Sequence, residues 1–262
     1  MPRLLSLWLA IATLAFAGDD PTDVLVRLRD QVTALGHRIP NHICIETIQR
    51  DRFQPVGSVP RSCDGILARR MKVGPGAVLK AGTMDRLRLD VAMADGREIY
   101  SWAGARKFHE GDDDIHDLIR DGPIGTGIFA SMLLVTFGSA GPRFFYDGDI
   151  MLADQRLMQY SFTMMRDQSE YRVKTQGGWW ITGYSGTLLV EPKTASLVRV
   201  TLRTDELPPE TSACETDTTR DYSTVAVGRV GLPAAQGGAP AVHRSRWIGG
   251  RKHHYLLSVP GI

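Results

Sequence analysis

Between residues 84 and 227 apolar side chains recur at every second position in short runs, and turn-forming residues separate the runs. Leu87, Leu89, Val91 and Met93 alternate with Arg86, Arg88 and Asp90. Met158, Tyr160, Phe162 and Met164 line one side of residues 157–165, and Val198, Val200 and Leu202 alternate with Arg199, Thr201 and Arg203. A period of two sends alternate side chains to opposite faces of a strand, so each run reads as a strand with one buried face. Asp95-Gly96 and Ala153-Asp154-Gln155 supply tight turns between neighbours. Residues 98–103, 144–151, 171–175, 179–184, 187–190 and 221–227 complete about nine strands, and residues 43–48 ahead of them alternate in the same way. Their connections are too short for crossover helices, which excludes a parallel α/β sheet and predicts an antiparallel meander.

Helices precede and interrupt the strands. Asp20 suits a helix cap and Pro21 a first helical position. Leu25, Leu28, Val32 and Leu35 then fall on one helical face, and Gly36 is the expected stop. Residues 112–121 and 128–137 read as two more helices around a glycine-rich run, and residues 54–65 as loop. The expectation is one α+β domain over residues 18–232. Its curved antiparallel sheet of about nine strands carries the 20–36 and 112–137 helices on its concave face.

The first seventeen residues, MPRLLSLWLAIATLAFA, have the form of a secretory signal. Arg3 is the positive start, residues 4–16 the apolar stretch, and Ala15-Phe16-Ala17 the cleavage site, with the cut between Ala17 and Gly18. No cysteine lies near that site, so a lipid anchor is not expected. The richest later apolar stretch, residues 124–137, is too short to span a bilayer and is interrupted by glycines. The mature chain is therefore expected outside the cytosol, periplasmic or extracellular, soluble, with at most peripheral membrane contact.

The formal net charge of +2 hides an uneven distribution. Of 31 basic residues, four (Arg244, Arg246, Arg251, Lys252) lie in residues 233–262, which hold no acid, and one (Arg3) lies in the leader. The remaining 26 stand against 29 acidic residues, so the body is acidic. Nucleic-acid binding needs a clustered positive face and is excluded as an expectation.

Cys44, Cys63 and Cys214 are an odd set in a chain whose export permits disulfides. Cys44 and Cys63 are close in sequence and are the preferred pair, leaving Cys214 over; pairing of Cys44 or Cys63 with Cys214 is the competing choice. No metal or cofactor is expected. His37, His42 and Cys44 fit no ligand spacing, and His109-Glu110 is seven residues from His116 rather than at metalloprotease spacing. The acids at 112–114 suit a helix start. The 122–127 run lacks a following Gly-Lys-Ser/Thr, Gly183-Tyr184-Ser185-Gly186 is not a nucleophile elbow, and Asp147-Gly148-Asp149 lacks the rest of a calcium loop. No catalytic residue is named. The aromatic strand residues carry more information: Trp102, Tyr160, Phe162, Tyr171 and Trp179, with Val198 and Val200, are candidate ligand-binding residues for an apolar molecule held under the sheet. Adjacent Trp179 and Trp180 must face opposite sides.

Several segments together resemble a family of uncharacterised exported bacterial envelope proteins: IPNHICIETIQR (39–50), DRLRLDVAMADGREIYSWAGARKF (85–108), LIRDGPIGTGIFASML (118–133), WWITGYSGTLLVEPKTASLVRVTLRT (179–204), ELPPE (206–210) and ACETDTTRDY (213–222). More distantly, GTLLVEPKTASLVRV is similar to a strand–turn–strand of the LolA-like lipoprotein carriers and their RseB-like and LppX-like relatives. That resemblance implies a half-barrel with helices plugging its concave side. It further implies an envelope protein, not an enzyme, that binds a lipid, a lipidated protein or another apolar ligand. The alternatives are an envelope interaction or sensor module whose half-barrel is filled by its own side chains, and an exported hydrolase. The end of the chain departs from the family, which continues with further strands and a fourth cysteine. A reading shifted by one base after Pro233 can give an alternating, charged string that ends in Cys-Arg-Glu-Tyr. Residues 233–262 are therefore expected to be an aberrant tail from a frameshift, without regular structure, leaving the last strand with an unpaired edge.

Overall fold

A computed structural model describes residues 19–36, 42–57, 62–94, 97–106, 131–138, 141–169, 171–175, 178–204, 206–211, 213–222 and 242–249. The leader with its Ala17–Gly18 cleavage site and the 112–121 helix lie outside them.

The described chain is α+β with mostly antiparallel pairing. Helix α1 (Pro21–Gly36) leads into β1 (His42–Pro55), α2 (Cys63–Val73), β2 (Leu79–Ala94) and β3 (Arg97–Trp102). Helix α3 (Ser131–Gly138) precedes β4 (Arg143–Leu152), β5 (Gln155–Met164), β6 (Arg172–Thr175), β7 (Gly178–Ile181), β8 (Tyr184–Glu191), β9 (Ser196–Thr204), β10 (Ala213–Asp221) and β11 (Val242–Gly249). Strands β1 to β3 form one antiparallel block, and β4, β5, β8, β9 and β10 another. Strand β11 joins them, antiparallel to β10 and parallel to β1, so the order is β3-β2-β1-β11-β10-β9-β8-β5-β4. β6 and β7 pair as a separate two-stranded ribbon.

Alternation decides which face is buried. Opposed residues share a face, so Tyr160, Leu188, Val200 and Arg220 form one row across β5, β8, β9 and β10. Phe162, Gly186, Leu202 and Thr218 form the next. All but half-buried Gly186 are buried. Gly186 is a glycine because a Cβ there would stand 2.1 Å from the Thr201 carbonyl oxygen and 2.7 Å from the Phe162 ring. The ring covers the space a side chain would take.

α1 lies on this face. Val24, Leu28 and Val32, spaced by four, are buried with Leu133 and Phe137 of α3 against Met158, Tyr160, Phe162, Leu188 and Val200. Each such side chain contributes about 1.5–3 kcal/mol on leaving water. Leu25 packs only partly against the cluster, so the buried stripe runs through Val24 rather than Leu25. The β4–β5 turn is the expected one: Ala153 and Asp154 take φ of 46° and 65°, which a tight hairpin requires.

Several expectations need correction. Residues 54–65 are not all loop: β1 continues to Pro55, and α2 begins at Cys63 with Ser62 accepting from the Gly65 N–H as its cap. The strand expected at 221–227 ends at Asp221 and starts at Ala213, and 223–227 lie outside the described residues. It was hidden because four of its five buried positions, Glu215, Thr216, Thr218 and Arg220, are polar. The tail is not without regular structure: Val242–Gly249 forms β11. That pairing leaves β10 with partners on both sides and adds one parallel pair to the expected meander.

The disulfide is Cys63–Cys214, with Cα atoms 5.1 Å apart, not the preferred Cys44–Cys63. The reason is reach. Beyond Cys44, β1 runs on for eleven residues to Pro55, with a bulge between Asp51 and Phe53, about 36 Å at 3.3 Å per residue. The eight residues that follow span at most about 29 Å, so Cys63 could meet Cys44 only by running fully extended straight back along the strand. Cys44 is therefore the cysteine left over, in place of Cys214. The bridge joins α2 to β10 beside the Arg70–Glu215 ion pair, in which Glu215 is buried. Ile66, Val78, Leu79 and Cys214 close a second, smaller cluster there.

Candidate functional site

Of the seven candidate ligand-binding residues, four share the main cluster, two lie elsewhere, and the side chain of the seventh is outside the described residues. Tyr160, Phe162 and Val200 are buried in the main cluster, at 1%, 1% and 2% exposure. Tyr171 packs against the same cluster, its ring centroid 5.7 Å from that of Tyr184. Trp102, at the end of β3, is 43% exposed. Val198 lines a separate cleft of about 460 Å³ with Gln155, Glu191, Lys193 and Tyr222. Trp179 is placed on β7, with its side chain outside the described residues.

Polar contacts hold α1 over the face on which an apolar ligand was expected. The Tyr160 hydroxyl donates to the Pro21 carbonyl at 2.8 Å. The Arg27 guanidinium donates to the carbonyls of Lys193 and Pro192 at 2.9 and 2.8 Å, and the Gln31 amide to Thr194 at 2.8 Å. Those carbonyls belong to the β8–β9 turn, which Glu191 braces from inside. Burial alone would raise the Glu191 carboxyl, but hydrogen bonds from Thr194 and Lys193 hold it below its usual range. Arg29 Nε donates to the Phe137 carbonyl at 3.1 Å, tying α1 to the end of α3.

Nearer β1, the buried face turns polar. Burial pushes the Glu46 carboxyl up to about 8, Arg220 opposes the rise, and Glu98 adds to it. Burial likewise pushes Tyr222 up to about 12. These groups belong to the interior of the sheet. Among the described residues no group of three His, Cys, Asp or Glu could hold a metal ion.

The larger opening is a cleft of about 1010 Å³ at the end of β5, β7 and β9. Three segments build it: Met165, Arg166, Asp167 and Ser169; Trp180 and Ile181; and Glu206, Leu207, Pro208 and Glu210. Met165, Trp180 and Ile181 are 56%, 39% and 40% exposed, an unusual concentration of wet apolar surface. Arg166 lies over the Trp180 ring, 4.2 Å from guanidinium carbon to centroid. Gly183 lets the third segment approach: its N–H donates to Glu206 Oε2 at 3.3 Å, and a Cβ would stand 3.0 Å from the Met164 carbonyl and 3.1 Å from that carboxylate. The hydroxyls of buried Thr182 and Thr204 lie 2.6 Å apart and both reach the Gly183 carbonyl; with one proton each they make two of these three contacts as hydrogen bonds at a time, one donating to the other or both to the carbonyl.

Sequence reading missed this site because it is made where the end of β7 meets two connecting segments, 165–169 and 206–210, which no local pattern brings together. The one available signal was the Trp179-Trp180 pair, which requires one indole to face away from the core. Trp180 is 39% exposed.

No helix among the described residues is long and apolar enough to cross a membrane. No family model, curated protein or solved structure matches the chain.

Proposed function

We propose that the chain is a non-catalytic binding module of the cell envelope, built as a half-barrel filled by its own helices and side chains, which engages its partner at the Trp180 cleft. The signal-like leader and the envelope-family resemblance support the compartment. The observation that carries the reading is the seal of α1. Its apolar stripe is buried against Tyr160, Phe162, Leu188 and Val200, and Tyr160, Arg27 and Gln31 fasten it in place. A ligand entering that face must first displace the helix and its contacts. The nine-strand order with α1 and α3 on one face supports the half-barrel form.

The lipid-carrier reading retains one supporting observation, since the open cleft has an apolar floor and room for part of an acyl chain. Titration with a dansyl-labelled fatty acid separates the two. The filled half-barrel gives no saturable emission rise. A saturable rise that unlabelled fatty acid displaces overturns the proposal in favour of a carrier.

A further inference from the structure

The charge around the Trp180 cleft narrows what it can take. Asp167, Glu206 and Glu210 line it, against Arg166 as the one cation among its described residues. That guanidinium is already stacked on Trp180. The three carboxylate residues are exposed, and none makes an ion pair among the described residues. Their negative field therefore faces solvent, around a floor of Met165, Trp180, Ile181 and Leu207. An acidic rim about an apolar floor complements a ligand that is positive where the rim is negative and apolar where the floor is apolar. A fatty acid, or the head group of an anionic lipid, meets repulsion from that rim. A cleft open to solvent and walled by three chain segments suits a length of polypeptide better than a small enclosed molecule.

We propose that this cleft docks a cationic segment of a partner protein, with Lys or Arg side chains toward Asp167, Glu206 and Glu210 and an apolar side chain against Trp180 and Ile181. The proposal rests on the binding-module reading and supplies the chemistry of its partner. Trp180 is the anchor, as a partly exposed indole in a concave site is the residue type that dominates interface energy. The carboxylates set orientation and rate of encounter, and their contribution falls as salt screens them.

The test is selection of a random dodecapeptide phage library on the purified oxidised protein, with the best sequences then made as fluorescein-labelled peptides. The expected result is enrichment in Lys and Arg beside aromatic or aliphatic residues. Trp180→Ala weakens binding of the selected peptide by about tenfold or more. Glu210→Lys, at an exposed position with no side-chain hydrogen bond among the described residues, weakens it at low salt and much less at high salt. Enrichment in acidic peptides, no enrichment, or binding indifferent to both variants overturns the proposal. So does Trp180-dependent binding of phosphatidylcholine vesicles without peptide binding, which assigns the cleft to a membrane surface. A negative selection with no fatty-acid binding removes this inference alone, whereas saturable fatty-acid binding removes the module reading beneath it.

Discussion

The hydroxyl of Tyr160 on β5 donates to the main-chain carbonyl of Pro21, the first residue of α1, at 2.8 Å. Burial pushes that phenol up to about 12, with Tyr146, Asp149 and Asp20 adding to the rise and Arg27 opposing it. The hydroxyl therefore remains a donor throughout the ordinary pH range, and the helix start stays joined to the face of the sheet. Tyr160→Phe keeps the ring and removes the bond. The expected loss is about 1 kcal/mol, read as a lower urea midpoint at unchanged slope. An unchanged midpoint would mean that the bond does not hold α1.

The bridge between Cys63 and Cys214 closes a loop of 151 residues in sequence separation. Chain entropy alone makes it worth about 5 kcal/mol, and strain or residual unfolded structure reduces that figure. Reduction should therefore destabilise the protein by about 2–5 kcal/mol. Alkylation of the unreduced, denatured protein should label one cysteine per chain, and peptide mapping should find the label on Cys44. A label on Cys214 would restore the pairing expected from sequence proximity.

Much of the sheet was legible because its apolar half alternates cleanly. Leu89, Val91, Tyr160, Phe162, Val200 and Leu202 were assigned to strands by period two, and all are buried. α1 was legible from its spacing and from Asp20-Pro21. What escaped reading lacks that contrast. β10 buries Glu215, Thr216, Thr218 and Arg220, so its inward positions look like a solvated run. α2 buries Ile66 alone, and its remaining apolar residues do not form a stripe. β11 lies beside β1, nearly two hundred residues away in sequence, and no local pattern specifies so distant a parallel pairing. The candidate ligand residues illustrate a related point. Alternation tells which side chains turn inward, but not whether the space they face is already filled.

Glu46 gives the stability a pH dependence. Its carboxyl is raised to about 8 in the folded protein from an ordinary 4.5, chiefly by burial. Between those values the folded state holds a proton that the unfolded chain releases, so stability falls as pH rises. The loss begins near the unfolded value and is complete above the folded one. Glu46→Gln removes that contribution, and its urea midpoint should decline less than that of the parent protein from about pH 5 to about pH 8.5. Equal declines in the two proteins would show that another group carries the dependence.

The proposal that the chain is a half-barrel filled by its own helices and side chains is tested most directly by native mass spectrometry of the protein purified from the cell envelope without detergent exchange. The account predicts one dominant species at the polypeptide mass, less two hydrogens for the Cys63–Cys214 bridge, with no lipid adduct. A stoichiometric adduct of lipid mass that survives Trp180→Ala, and so does not sit in the outer cleft, would contradict it.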